Sequence, residues 1–161
     1  MSTSISIIAG SQSDLETLKE AIALLKEFKV GFTVKVLSAH RTPKELVKYV
    51  EAASKNGTKI FIAAAGGTAA LAGVIAAHTI LPVIGIPIET KSLKGLDSLL
   101  STVQMPAGIP VASMAIGKAG AKNAAIFALE VLGTTDKKIQ EKLKNYKQKM
   151  RLKVKKIKIS I

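Results

Sequence analysis

Short apolar segments alternate with amphipathic ones along most of the chain, and this alternation restricts the fold more than any other feature. Apolar runs of strand length begin near Ile5, Phe32, Lys59, Pro82 and Val111. The segments between them place apolar residues at helical spacing. Repeated strand–helix units predict parallel strands joined by right-handed crossovers, with helices on both faces of the sheet. We therefore expect an α/β fold in three layers, which is an α/β/α sandwich.

Turn residues and helix-capping signals set the bounds of the predicted elements. Strands are predicted over residues 5–9, 32–37, 59–64, 82–86 and 111–116. Helices are predicted over residues 15–30, 43–55, 68–78, 95–104, 119–132 and 137–153. Ser13 with Glu16, and Thr42 with Glu45, have the spacing of capping boxes, and Gly31 is predicted to end the first helix.

The formal charge of the chain is +13, and most of it lies in the C-terminal segment. Residues 137–161 hold eleven Lys or Arg and one acid, Glu141, so they carry +10 and the remainder carries +3. We expect a catalytic α/β domain over residues 1–134 and an extra basic C-terminal helix and tail over residues 135–161, whose thin apolar stripe suits an oligomer contact. A basic tail can also bind nucleic acid. We do not favour that partner, because a recognisable nucleic-acid motif is lacking in the sequence.

The sequence also predicts the compartment. Cysteine is absent, which is typical of a reducing environment. The N-terminal residues lack a signal-peptide pattern, and the longest apolar stretch, residues 60–77, is rich in Ala and interrupted by Gly66 and Gly67. We expect a cytoplasmic protein without a membrane span.

In an open parallel sheet, ligands bind beyond the carboxyl ends of the strands. The loop 10–14, which follows the first strand, leads into a helix N-terminus, where backbone N–H groups favour phosphate. Ser11 and Ser13 can add hydroxyl donors, and Asp14 suits ribose hydroxyls. The alternative is that these residues only cap the helix.

The loop 38–43 is the most informative constellation. Arg41 offers a planar fork of donors for a phosphate, and the adjacent His40 can transfer protons near neutral pH. A single histidine is more often structural, so both interpretations stay open at this point. His78 falls within a predicted helix and is interpreted as a packing or surface residue.

A third loop, Ala65-Gly66-Gly67, brings bare backbone to the same edge of the sheet, where glycine permits close approach of a ligand. It is neither a P-loop nor a dinucleotide fingerprint. Two separated histidines and no cysteine make a poor zinc site, so no metal is predicted.

Seven motifs in fixed order resemble a known family. They are GSQSD (10–14), SAHRTP (38–43), AGG (65–67), PVIGIP (82–87), GLDSLLS (95–101), VQMPAGIPV (103–111) and NAA (123–125). Over residues 5–133 this set is similar to the N5-carboxyaminoimidazole ribonucleotide mutases, class I of the aminoimidazole ribonucleotide carboxylase family (PurE-type). The resemblance implies a flavodoxin-like parallel sheet, a homo-octamer and a C-terminal helix that reaches a neighbouring subunit.

The resemblance also implies a reaction and a site. The reaction, in purine biosynthesis, moves a carboxylate from the exocyclic nitrogen of the imidazole to the ring carbon, with no cofactor. By matching position, His40 is the general acid/base of a decarboxylation and recarboxylation. Arg41 is expected at the phosphate and Asp14 at the ribose. The remaining predicted substrate-binding residues are Ser11, Ser13, Ser38, Ala65, Gly66 and Gly67.

One position departs from the class I pattern. After the two glycines, that pattern reads Ala-Ala-His-Leu-Pro-Gly-Met, whereas this chain reads Thr-Ala-Ala-Leu-Ala-Gly-Val over residues 68–74. Ala70 stands where the family has a second active-site histidine, and Ala72 replaces the proline. Class II enzymes, which use carbon dioxide directly, also lack that histidine. A direct aminoimidazole ribonucleotide carboxylase, or a weakened family member, is therefore the alternative to the mutase.

Overall fold

The computed structural model describes residues 3–157 and 159, and its elements follow the predicted alternation. In chain order they are β1 (Ile5–Ala9), a 3-10 turn (Gln12–Asp14), α1 (Leu15–Phe28), β2 (Phe32–Val36), α2 (Pro43–Lys55), β3 (Ile60–Ala65), α3 (Leu71–Ala77), β4 (Val83–Pro87), α4 (Leu96–Val103), β5 (Ala112–Ser113), α5 (Gly117–Gly133) and α6 (Lys137–Lys155). The chain divides into two compact units, with the boundary between Ile126 and Phe127 inside α5. The functional division predicted at residue 134 stays a prediction.

The described strands form one parallel sheet in the order β2-β1-β3-β4-β5. Ile7 of β1 lies opposite Val34 of β2 and Ile62 of β3. The chain first moves outward from β1 to β2 and then returns past β1 to β3. Because parallel crossovers are right-handed, this reversal places α1 on one face of the sheet and α2, α3 and α4 on the other. The order is the flavodoxin-like one, which confirms the predicted three-layer sandwich.

Both faces of the central strands are buried, as is typical of a parallel sheet covered on two sides. One face forms a continuous apolar cluster with α2 and α3, in which Ile8 and Phe61 pack with Leu46, Val50 and Ile75. All five of these side chains are fully buried. This core fixes the strand ends from which the site loops emerge.

Close packing of α4 on β4 depends on Gly85. A Cβ atom at this position would overlap Cγ2 of Thr102, so any other residue would push the helix away from the sheet. Ser98 lies one helical turn before Thr102 and is also fully buried. Gly85 therefore allows the last turn of α4 to pack closely against β4.

Three predicted bounds are wrong. Gly31 does not end the first helix: α1 ends at Phe28, and Lys29 takes the left-handed conformation with φ of 56°. The predicted helix 68–78 is shorter, since the N–H groups of Ala69 and Ala70 donate to carbonyls only two residues back, which an α-helix does not allow. The predicted strand 111–116 pairs with β4 only at Ala112 and Ser113.

The second unit contains the basic helix α6. Asp136 caps it by accepting hydrogen bonds from the N–H groups of Lys138 and Ile139, which confirms the predicted helix start. Lys147 pairs with Glu130 at 2.7 Å, and the apolar stripe is buried at Leu143. Among the described helices of the whole chain, none has both the length and the apolar character that crossing a membrane requires.

Candidate active site

A cavity of about 580 Å³ lies at the carboxyl edge of the sheet, where the loops after β1, β2, β3 and β4 meet. This volume falls within the usual range of small-molecule sites. Its lining residues are Gly10, Ser11, Ser13, Asp14, Ser38, Ala39, His40, Arg41, Ala65, Gly66, Thr68, Ala70, Leu71, Ile88, Glu89 and Thr90. Every residue predicted for the site lines this cavity except Gly67.

The loop after β1 is folded by its own polar groups. The N–H of Ser11 donates to Oδ2 of Asp14 at 2.9 Å, and the hydroxyls of Ser11 and Ser13 hydrogen-bond each other at 2.7 Å. The cap predicted from Ser13 to Glu16 is therefore displaced: the Ser11–Asp14 pair closes a 3-10 turn before α1. Capping and ligand binding do not exclude each other here, because both serines still face the cavity.

Asp14 is the only buried acid among the described residues of the cavity wall. Burial raises the pKa of its carboxyl above the ordinary 3.8, while hydrogen bonds from Ser11 and the nearby Arg41 guanidinium act in the opposite direction. The net shift is upward. A carboxylate held by donors on one side keeps lone pairs for ligand hydroxyls on the other.

The loop after β2 presents His40 and Arg41 on a hydrogen-bonded turn. The Thr42 hydroxyl accepts from the N–H of Ser38 at 2.8 Å and donates to its carbonyl at 3.1 Å. Pro43 begins α2 as predicted, but Thr42 makes no side-chain cap to that helix. Its hydroxyl instead closes the turn, which fixes the backbone that carries His40.

Arg41 joins the two loops. Its Nη2 donates to the carbonyl of Gly10 at 3.2 Å, and its backbone N–H donates to the Ser38 hydroxyl at 3.2 Å. Its Nε–H also donates to the Ser38 hydroxyl at 3.5 Å, so three further N–H groups of the guanidinium remain for an anion at this edge. His40 is exposed, lines the cavity and makes no hydrogen bond within the described residues, so its ring is accessible for proton transfer.

The loop after β3 is held from α4. Gly67 has φ of 67°, a left-handed conformation that glycine adopts without strain. Its N–H donates to the Ser98 hydroxyl at 2.9 Å. Gly67 is thereby turned toward α4 and its N–H points away from the cavity, whereas Ala65, Gly66 and Thr68 line it.

Sequence reasoning did not find the contribution of the loop after β4. Ile88, Glu89 and Thr90 line the cavity, and Thr90 donates to Oδ1 of Asp97 at 2.8 Å. The signal was available, since these residues follow the carboxyl end of a parallel strand like those of the other site loops. Ala70 also lines the cavity, so the family histidine that it replaces would lie in the site itself.

Among the described residues, no group of three or more His, Cys, Asp or Glu side chains could hold a metal ion. The groups that the cavity does bring together include an accessible imidazole, a guanidinium, three serine hydroxyls and a buried carboxyl. They suit proton transfer on a small anionic molecule that also carries hydroxyl groups.

The fold and this cavity define a flavodoxin-like α/β protein with a small-molecule site at the carboxyl edge of its sheet. Comparison with known proteins gives the family. Residues 4–153 match the family described as AIR carboxylase, and the chain belongs to it. The resemblance drawn from the seven motifs is thereby confirmed.

Relatives with a described activity are similar over most of the chain. The N5-carboxyaminoimidazole ribonucleotide mutase of Pyrococcus abyssi is 54% identical over 147 residues, 91% of this chain and 83% of the relative. The mutase of Bacillus subtilis is 51% identical, with 89% of this chain and 91% of the relative covered. The crystal structure of Treponema denticola PurE has a TM-score of 0.85 at 27% identity, covering 93% of this chain and 92% of that one.

Proposed function

We propose that this chain is an N5-carboxyaminoimidazole ribonucleotide mutase of purine biosynthesis. Relatives about half identical over about nine-tenths of the chain carry that name. The single observation that carries the proposal is the position of His40: it is exposed to the cavity, and its neighbour Arg41 reaches across to the loop after β1.

The binding of the substrate follows from the two loops that Arg41 joins. A phosphate at this edge would receive donors from the guanidinium and from the hydroxyls of Ser11 and Ser13. The Asp14 carboxyl accepts a hydrogen bond from the Ser11 N–H and would accept others from the ribose hydroxyls. The base would then extend toward Ala65, Gly66 and Ile88, where the wall has fewer charged groups.

His40 acts as both acid and base in the proposed reaction. The bond between the exocyclic nitrogen and its carboxylate breaks, and the nitrogen receives a proton from the imidazolium. The released carbon dioxide stays in the cavity and is attacked by the ring carbon, which forms the new carbon–carbon bond. The ring carbon then returns its proton to the imidazole. Atoms and electrons balance, and His40 ends in its starting state.

Ala70 favours one second candidate. The cavity contains a methyl group where class I relatives have an imidazole, and class II enzymes also lack that histidine. A direct carboxylase would join carbon dioxide to the ring carbon of aminoimidazole ribonucleotide at the same site. His40 would accept the ring proton there as well, so both candidates depend on it.

A substrate comparison separates the two candidates. The purified chain is given N5-carboxyaminoimidazole ribonucleotide in one assay, and aminoimidazole ribonucleotide with bicarbonate in another. The rise of 4-carboxy-5-aminoimidazole ribonucleotide is followed in both. Efficient turnover of the N-carboxylated substrate alone identifies a mutase, and efficient turnover of the second mixture identifies a direct carboxylase. If neither substrate reacts, the proposal is wrong.

We also propose that the chain forms a homo-octamer in which α6 is an oligomer contact, and that the protein is cytoplasmic. Light scattering of the full chain and of a chain ending at Thr134 tests the assembly. A shift to smaller particles on truncation is expected. If the truncated chain instead keeps its size and loses affinity for nucleic acid, the tail has the alternative role named from its charge.

A further inference from the structure

The first turn of α4 contacts two walls of the cavity at once. Asp97, Ser98 and Ser101 form what we call the α4 clamp. The Ser98 hydroxyl donates to the carbonyl of Ile88 at 2.7 Å and accepts from the N–H of Gly67 at 2.9 Å. One buried hydroxyl thus ties the loop after β3 to the loop after β4.

The other clamp residues reinforce this contact. Asp97 accepts from the Thr90 hydroxyl at 2.8 Å. The Ser101 hydroxyl donates to the Asp97 carbonyl at 2.8 Å and makes a longer contact to the Gly67 carbonyl at 3.3 Å. The N–H of Gly67 is therefore held by Ser98, and its carbonyl has the longer contact with Ser101 on the same helix. The clamp residues do not themselves line the cavity, but Ile88, Thr90 and the residues beside Gly67 do.

We propose that Ser98 is a positioning residue for the reaction: its hydroxyl sets the distance between the two loops that form the β3–β4 wall of the cavity. This inference rests on the proposed function. Ser98 is fully buried and uses both its donor and its acceptor on these loops. Without the hydroxyl, the Gly67 N–H and the Ile88 carbonyl lose a buried hydrogen-bond partner. Because an unpaired buried polar group costs free energy, we expect the two loops to shift until these groups are hydrated.

The wall that moves is separate from the phosphate end of the cavity. The Ser11, Ser13 and Arg41 side chains belong to the loops after β1 and β2, which the clamp does not contact in the described hydrogen bonds. A loosened β3–β4 wall should therefore affect alignment of the reacting base more than capture of the ribonucleotide. Small misplacements of this kind lower turnover by about 10- to 100-fold.

The test compares Ser98→Ala with Thr102→Val in the full chain. Thr102 is buried on the same helix, and its hydroxyl donates only to the carbonyl of Ser98. Valine keeps its shape, so this variant loses a buried hydroxyl without touching either loop. Thermal melts first establish that both variants are folded at the assay temperature.

The expected result is a separation of kcat from binding. Ser98→Ala should lower kcat by about 10-fold or more, while the affinity for the ribonucleotide product stays within about 3-fold and its stoichiometry is unchanged. Thr102→Val should keep both quantities. Equal kcat values in the two variants would overturn the proposal.

Hydrogen exchange gives a readout that does not need turnover. The Gly67 amide should exchange about 10-fold faster in Ser98→Ala than in Thr102→Val, since it loses its acceptor. Unchanged protection of Gly67 would also overturn the proposal. If the unaltered chain shows no turnover with any substrate, the proposed function fails, and the exchange measurement still decides whether Ser98 holds the loop.

Discussion

The two edges of the sheet each carry a cavity and each carry one of the two histidines, but they differ in chemistry. At the carboxyl edge, His40 lines the site of about 580 Å³ together with Arg41 and Asp14. At the amino edge, His78 lines a larger hollow of about 990 Å³ whose wall includes Ile80, Leu81 and Pro82 among its apolar side chains. Size alone would favour the amino edge, whereas the polar groups favour the carboxyl edge.

The two cavities differ in chemistry because different chain segments surround the two histidines. Around His40, four strand ends deliver polar loops, and those loops are tied to each other by hydrogen bonds such as that from Arg41 to Gly10. Around His78, the chain turns between α3 and β4. The surface there is mainly apolar, and the Ile80 side chain is fully exposed. A histidine acts in catalysis where other groups bind and orient a ligand beside it.

Removing each imidazole in turn is the most direct test of this difference between the two edges. His40→Asn should lower kcat by about 100- to 10,000-fold, because that is the usual contribution of general acid–base catalysis and asparagine transfers no proton at neutral pH. The matched His78→Asn should change kcat by less than about 2-fold, since surface changes away from a site are nearly neutral. Initial rates with the N-carboxylated substrate measure both. Retained turnover in His40→Asn would exclude the assigned role.

The next largest effect concerns the anion end of the carboxyl edge. Arg41→Ala should weaken ribonucleotide binding by about 10- to 100-fold, the usual contribution of a charge-assisted contact. Lys44→Ala is the control, since Lys44 carries the same charge nearby but does not line the cavity. Calorimetric titration with the product checks both variants. Equal affinities would show that the phosphate lies elsewhere.

At the carboxyl edge, Asp14 should make the stability of the protein depend on pH. Its folded pKa is raised above 3.8, so ionising it costs stability as the pH rises through the folded pKa, and the cost disappears below 3.8. Asp14→Asn should therefore be slightly more stable than the unaltered chain at pH 7, while it binds ribonucleotide less well. Denaturant midpoints at pH 7 and near pH 3.5 should show this gain only at the higher pH. A gain of equal size at both values would contradict the assignment to ionisation.

The smallest expected effect lies at the amino edge. Ile80→Ser removes an apolar side chain that is already fully exposed, so the free energy of unfolding should change by less than about 0.5 kcal/mol and kcat should stay the same. Denaturant unfolding and the mutase assay check this. A large loss of turnover would mean that the amino edge contributes to the reaction.

Much of the fold was predictable because its signals are local. β1 has the predicted bounds, and β2, β3 and β4 agree within one residue. One error arose where a long-range contact overrides a local pattern. The Ala-rich run after Gly67 has helical composition, but the left-handed Gly67 and its bond to Ser98 hold the first residues of that run in a turn.

The candidate site was predictable to a similar extent. Ser11, Ser13, Asp14, Ser38, His40 and Arg41 all line one cavity, since parallel strands end at one edge and their loops meet there. Glu89 and Thr90 were missed because their composition does not distinguish them, although their position after the carboxyl end of β4 was a usable signal. Their place in the wall depends on α4, which Gly85 allows to pack close to β4.

The sequence by itself determined which segments are strands and helices, the family, and the set of polar loops that follow the strands. These features depend on the spacing of apolar residues, on helix-capping residues and on short sequence motifs, each of which involves only a few neighbouring residues. Only the tertiary structure decided that Glu89 and Thr90 join the cavity wall, that Asp14 is buried, and that Ser98 holds Gly67 from 31 positions away. The physical reason is that burial and hydrogen bonding between loops depend on strand order and on how closely helices pack, and these arise only when the whole sheet assembles.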